Sequence, residues 1–153
     1  MNPVCNLITD EERKIISNLK SNSKLNFDKA IAHEFLERKG KHLELIEDDV
    51  DLNAMLIKKP EYSFLIKVKG DSMINCGIDN SDTLLVDCSI EPKHGDIVVA
   101  SINGKILVKK LNFSYRETML LSENENYMPI KVRSGDKFEI WGVAIMVIKD
   151  RTL

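Results

Sequence analysis

The sequence predicts a mainly β domain, curved and partly closed, over residues 51–153, preceded by a partly helical arm over residues 1–50. Three observations carry this expectation. From Tyr62 onward, apolar and polar residues alternate in short runs separated by turn-forming clusters, which is the pattern of half-buried strands. Asn103-Gly104 stands between two β-rich runs, Gly95 to Ile102 and Lys105 to Leu111, and an Asn-Gly pair accepts the positive φ angles of a two-residue hairpin turn. A last run, Phe138 to Ile148, is rich in β-branched residues and holds the single tryptophan, Trp141. Many short strands joined by turns fold most readily into a curved sheet.

Taken in order, Thr9-Asp10-Glu11-Glu12 reads as an N-cap with acidic residues in the first turn, followed by Ile15, Ile16 and Leu19 on one stripe. Ser21 to Asn26 is polar and breaks this helix. Phe27, Ile31 and Phe35 then recur at four-residue spacing, with Gly40 as a stop, and predict a second helix over about 27–39. Two helices around a polar turn invite a helix-turn-helix reading. The second helix, however, mixes acidic with basic residues and leaves too little chain for a third, so an arm is expected. Glu47-Asp48-Asp49-Val50-Asp51 is an acidic linker, and Asp51 can cap a short helix through Leu52, Met55 and Leu56 that Pro60 ends. Phe64, Ile66 and Val68 alternate with Leu65, Lys67 and Lys69 in the first strand. Ile78 to Asp82 is a polar turn before the strand Thr83 to Asp87. After the hairpin, Thr118 to Leu121, Ile130 to Val132 and Phe138 to Ile148 complete the sheet.

The chain has 153 residues, 43% hydrophobic and 30% charged, which suits a globular domain with a real core. The formal net charge of -2 is spread evenly along the chain. No basic patch is available to track a phosphate backbone, which argues against direct DNA binding. The three cysteines, Cys5, Cys76 and Cys88, and the few histidines lack clustered ligand spacing, so neither a metal nor a cofactor is expected. No basic-then-apolar leader opens the sequence, and no apolar run reaches the roughly 18 residues of a spanning helix. A cytoplasmic protein without membrane contact is the expectation.

The stretch that promises chemistry is Lys69-Gly70-Asp71-Ser72-Met73-Ile74, taken with Val108-Lys109-Lys110-Leu111. A serine hydroxyl is a poor nucleophile until a neighbour removes its proton, and a lysine kept neutral in an apolar pocket is one group that does so. Gly70 permits a tight turn that presents Ser72 near backbone N–H groups able to hold an oxyanion. On its own, Gly-Asp-Ser is ordinary turn composition. With a two-residue hairpin loop, Lys109 faces Val98 and Lys110 faces Ile97. Lys109 then shares its face with Leu107, Leu111 and Ala100, and Lys110 shares its own with Ile106, Val108 and Val99. Both lysines have apolar company, and periodicity leaves the choice between them open. His94 is a further candidate base, but its Gly95-Asp96 neighbours suggest a hairpin corner.

Gly70-Asp71-Ser72-Met73-Ile74, Gly77-Ile78, Leu84-Leu85-Val86-Asp87, His94-Gly95-Asp96-Ile97-Val98, Val108-Lys109-Lys110-Leu111 and Gly142-Val143 together resemble the LexA/UmuD family of self-cleaving serine proteases. The resemblance runs from about Asp51 to Lys149. It implies that Ser72 is the nucleophile and Lys109, the first lysine of its pair and 37 positions on, the general base. It further implies an oxyanion hole formed by the Ser72 amide and a neighbouring one, and Asp71 as a turn residue with no catalytic part. In partners it implies a homodimer, activation by a RecA filament on single-stranded DNA, and an error-prone Y-family DNA polymerase served in the SOS response to DNA damage.

The family's substrate is its own N-terminal arm, cut at a small residue or Cys followed by Gly. This arm has no Ala-Gly or Cys-Gly bond, and its one candidate is Lys39-Gly40. Cys76-Gly77 has the expected letters but lies just after Ser72. Two functional classes follow: a self-cleaving protease whose trimmed form assists translesion synthesis, or a non-cleaving dimeric regulator of the same fold that binds a polymerase or repressor. A repressor fragment from a mobile element is a third, disfavoured by the short, charge-balanced arm.

Overall fold

Seven antiparallel strands form one sheet in the order β1-β2-β7-β3-β4-β5-β6 in a computed structural model. Their bounds are β1 Ser63–Lys67, β2 Thr83–Asp87, β3 Ile97–Ile102, β4 Lys105–Phe113, β5 Thr118–Leu121, β6 Ile130–Val132 and β7 Phe138–Ile148. The structure describes residues 51–151 together with residues 11, 34, 37, 38 and 43. Of the arm, Glu11, Glu34, Glu37 and Arg38 are helical; the rest of the two expected helices, the acidic linker up to Val50, and Lys39 and Gly40 lie outside the described residues. The chain divides into two compact units, Met1–Val50 and Asp51–Leu153.

The mainly β expectation holds, with two edges, β1 and β6, left unclosed. Asp51 caps the one-turn helix Leu52–Leu56, its carboxylate accepting from the N–H groups of Asn53 and Ala54 at 3.0 and 3.3 Å. That helix stops at Ile57, and Pro60 opens a 3-10 turn, Pro60–Tyr62, that leads into β1. The hairpin has the register expected from a two-residue Asn-Gly loop, with Lys109 opposite Val98 and Lys110 opposite Ile97. It differs at its ends. β3 begins at Ile97 because Gly95, at φ +91°, and Asp96 form a turn closed by Lys93 N–H to the Asp96 carboxylate at 2.8 Å. β4 continues to Phe113, held there by β5.

Alternation assigns the apolar residues to two packed groups. Val68, Met73, Ile78, Leu84, Val86 and Val99 form one, and Val98, Ala100, Leu111, Leu120 and Val143 the other. β7, the last strand in sequence, lies inside the sheet. Its first half pairs with β3 and its second half with β2, and the pairing changes over at Gly142-Val143. A Cβ on Gly142 would stand 2.8 Å from Val86 Cγ1 and 2.9 Å from the Asp87 carbonyl oxygen. Only glycine lets the two strands come this close.

Candidate active site

The nucleophile loop is fixed at its base before it does anything else. Where β1 ends, Val68 N–H donates to the Asp82 carbonyl at 2.8 Å and the Val68 carbonyl accepts from Ser81 N–H at 2.9 Å. Gly70, at φ +91°, turns the chain out, and its N–H donates to Asn80 Oδ1 at 2.8 Å. Lys149 bridges Asp79 and Asp82 at 2.6 Å each, and its ammonium helps hold the Asp82 carboxyl below its ordinary pKa. Met73, fully buried, plants the loop in the core, so the residue before it has little freedom. That residue is Ser72.

β4 supplies the second group. Lys109 is buried, only 6% exposed, and its Nζ donates to Ser72 Oγ at 2.7 Å. Burial alone pushes its pKa below the ordinary lysine value, which favours the neutral amine a base must be. The Tyr127 ring lies over Nζ, 5.5 Å from centroid to nitrogen. Lys110 faces the other way. Its ammonium makes a 2.8 Å ion pair with Glu123, which raises its pKa and keeps it charged. Of the two lysines that periodicity left open, Lys109 is the buried one beside Ser72 and Lys110 the one paired with a carboxylate.

The loop between β5 and β6 adds contacts to the nucleophile turn and to Lys109, and nothing in its sequence had singled it out. Asn124, a buried polar residue, donates from Nδ2 to the Asp71 carbonyl at 2.9 Å. The Tyr127 hydroxyl donates to the Asp71 carboxylate, and this bond raises the Tyr127 pKa. Asn75 N–H donates to the Glu123 carbonyl at 2.9 Å. Asp71 is therefore a turn residue gripped from two sides. Ser122 to Pro129 reads as an ordinary polar loop; a lone Tyr127 within it was the one available signal.

The remaining candidates separate cleanly. His94 sits at the hairpin corner, where its Nδ1 accepts from Phe113 N–H at 3.3 Å. Cys76 is exposed in the 3-10 turn Ile74–Cys76, its thiol donating to the Met73 carbonyl at 3.1 Å, with burial and Glu123 raising its pKa. Among the described residues, no three His, Cys, Asp or Glu side chains gather as a cation site, and no helix is long and apolar enough to cross a membrane.

A serine hydrogen-bonded to a buried lysine on an antiparallel sheet is the equipment of acyl transfer without histidine. The Peptidase S24-like family model matches residues 33–145, and the chain belongs to that family. Within it, the chain is similar to a LexA repressor of Verminephrobacter eiseniae, 38% identical over 101 residues that span 66% of this chain and 44% of that protein. It is also similar to protein ImpA of Salmonella typhimurium, 43% identical over 65 residues, 42% of this chain and 45% of ImpA. A LexA repressor of Actinobacillus succinogenes is 38% identical over 94 residues, 60% and 45% of the two chains. The matched part thus spans less than half the length of these curated relatives. The LexA/UmuD resemblance read from the sequence agrees with these matches.

Proposed function

We propose that this chain is a self-cleaving serine endopeptidase of the SOS response, with Ser72 as nucleophile and Lys109 as general base. The observation that carries the reading is the 2.7 Å contact between Ser72 Oγ and a lysine whose burial lowers its pKa. Neutral Lys109 takes the Ser72 proton as Oγ attacks a peptide carbonyl carbon. The oxyanion is held by the Ser72 amide and a neighbouring one; among the described residues the N–H groups of Asp71, Ser72 and Met73 are all free of hydrogen bonds. The Lys109 ammonium then gives its proton to the departing amine, leaving an ester on Ser72. Water, deprotonated by Lys109, attacks that ester, and Ser72 recovers its proton as the new carboxylate leaves.

The substrate under this reading is the chain's own arm, with Lys39-Gly40 as the candidate bond, and the activator is a RecA filament on single-stranded DNA. The trimmed form then assists an error-prone Y-family polymerase in the cytoplasm. Incubation with RecA, single-stranded DNA and nucleotide, followed by intact-mass measurement, tests this. Two fragments whose masses sum to the parent plus water are expected, and an unchanged mass rejects the reading. One observation favours the non-cleaving regulator instead: the arm lacks an Ala-Gly or Cys-Gly bond.

The same reading includes a homodimer in which β7 takes part. Trp141, Ile145, Val147 and Ile148 are each more than a third exposed although they lie on an interior strand. Exposed apolar side chains along one strand suit a surface that a partner covers. Sedimentation equilibrium at micromolar concentration is expected to give twice the chain mass, and a clean monomer contradicts it.

A further inference from the structure

Ser122 Oγ is fully enclosed and has no hydrogen-bond partner among the described residues. A buried hydroxyl in this state calls for an explanation, because leaving it unmade costs about 1–3 kcal/mol. The sheet register supplies one. β4 and β5 pair with Lys110 opposite Leu121 and Leu111 opposite Leu120. Continued by one residue, this register sets Ser122 opposite Lys109, and directly opposed side chains share a face. The residues that follow fit the continuation. Glu123 reaches Lys110 on the other face, and Asn124 returns to the Asp71 carbonyl beside Ser72.

From this placement we infer that Ser122 is a positioning residue for Lys109, its hydroxyl being the acceptor that orients the amine and receives one N–H of the ammonium. This rests on the Ser-Lys reading above. A neutral amine has two N–H bonds and one lone pair. To remove the Ser72 proton, Lys109 must aim the lone pair at Ser72, so its N–H bonds need another target. Val98, Leu111 and Ala100 on that face offer none. When Lys109 becomes an ammonium it has three N–H bonds to satisfy, and the Ser72 and Ser122 oxygens are the acceptors this placement offers. The hydroxyl makes no hydrogen bond while Lys109 donates to Ser72; it is engaged when the amine turns its lone pair to Ser72 and stays engaged when the ammonium forms.

The titratable groups around Lys109 stay the same when Ser122 changes. Asp71 is held by the Tyr127 hydroxyl, Tyr127 covers the amine, and Glu123 is paired with Lys110. Removing the Ser122 hydroxyl takes an acceptor from the charged form, so the Lys109 midpoint must move to lower pH. The loss of orientation must also slow the reaction, by about tenfold for one neutral hydrogen bond.

The test is NMR titration of the Lys109 side chain in 13C-lysine-labelled full-length protein carrying Ser72→Ala, so that the chain stays intact at every pH. Adding Ser122→Ala is expected to lower the Lys109 midpoint, and adding Ser122→Thr, which keeps the hydroxyl, to leave it in place. With Ser72 present, Ser122→Ala is expected to lower the high-pH cleavage rate about tenfold. A Ser122→Ala protein whose Lys109 titrates as in its parent overturns the inference, whatever its cleavage rate. The titration reads Lys109 directly, so a chain that never cleaves counts against the self-cleavage reading alone and leaves the role of Ser122 to be decided by the midpoint.

Discussion

Lys110 and Glu123 form a 2.8 Å ion pair on the face of β4 opposite Lys109, so two adjacent lysines of one strand have their pKa values pushed in opposite directions. A charged, paired ammonium cannot accept a proton; a buried, unpaired amine can. Lys109→Ala is therefore expected to lower self-cleavage by about 10²–10⁴-fold, the usual worth of a general base, while the protein stays folded. Lys110→Ala is expected to cleave within a few-fold of the parent, because a partly exposed ion pair contributes about 0–1 kcal/mol. Cleavage assays on both variants under RecA decide it. An active Lys109 variant beside a dead Lys110 variant reverses the assignment.

Asn124 is expected to matter through Asp71 and not through the chemistry itself. Its amide donates to the Asp71 carbonyl and its Oδ1 accepts from Asn126 N–H at 3.0 Å, tying the β5–β6 loop to the residue before the nucleophile. Asn124→Ala leaves that carbonyl with only the longer 3.3 Å bond from Ile74 N–H. A loss of about 1–3 kcal/mol in urea unfolding is expected, with slower cleavage at every pH and no shift of its midpoint. Parental stability and rate together contradict this role.

Gly142 tests the sheet independently of the site. The Asp87 carbonyl that a Cβ would meet is backbone, so it cannot swing aside as a side chain does. Gly142→Ala is expected to cost about 1–3 kcal/mol, read by thermal or urea unfolding. An unchanged midpoint would mean that β2 and β7 separate there without strain.

Much of the fold was legible because its signals are local. The Asn103-Gly104 turn set the hairpin register, and with it the pairing of Lys109 with Val98. The bounds of β2, β5, β6 and β7 follow from runs of β-branched and apolar residues between polar turns. The order of strands in the sheet was not legible: β7 enters between β2 and β3, and this depends on long-range packing that no short window records. The site divided in the same way. Ser72 was one candidate among ordinary turn residues until a resemblance singled it out with Lys109; the structure brings the two to 2.7 Å and leaves Lys110 paired with Glu123. Ser122, Glu123, Asn124 and Tyr127 stayed hidden, because a polar loop looks alike whether it faces water or closes a pocket.

The central claim is that a neutral Lys109 activates Ser72, and the pH dependence of unassisted self-cleavage tests it most directly. An ordinary lysine, with a pKa near 10.4, is neutral in about one molecule in several thousand at pH 7. Burial lowers the Lys109 pKa, so the neutral fraction is larger but still rises with pH. Loss of the intact 17.4 kDa chain without RecA should therefore speed up as pH rises and level off above the Lys109 pKa, while Ser72→Ala stays intact throughout. A histidine base would level near its reference pKa of about 6.5. A rate that is flat from neutral to strongly alkaline pH contradicts the account.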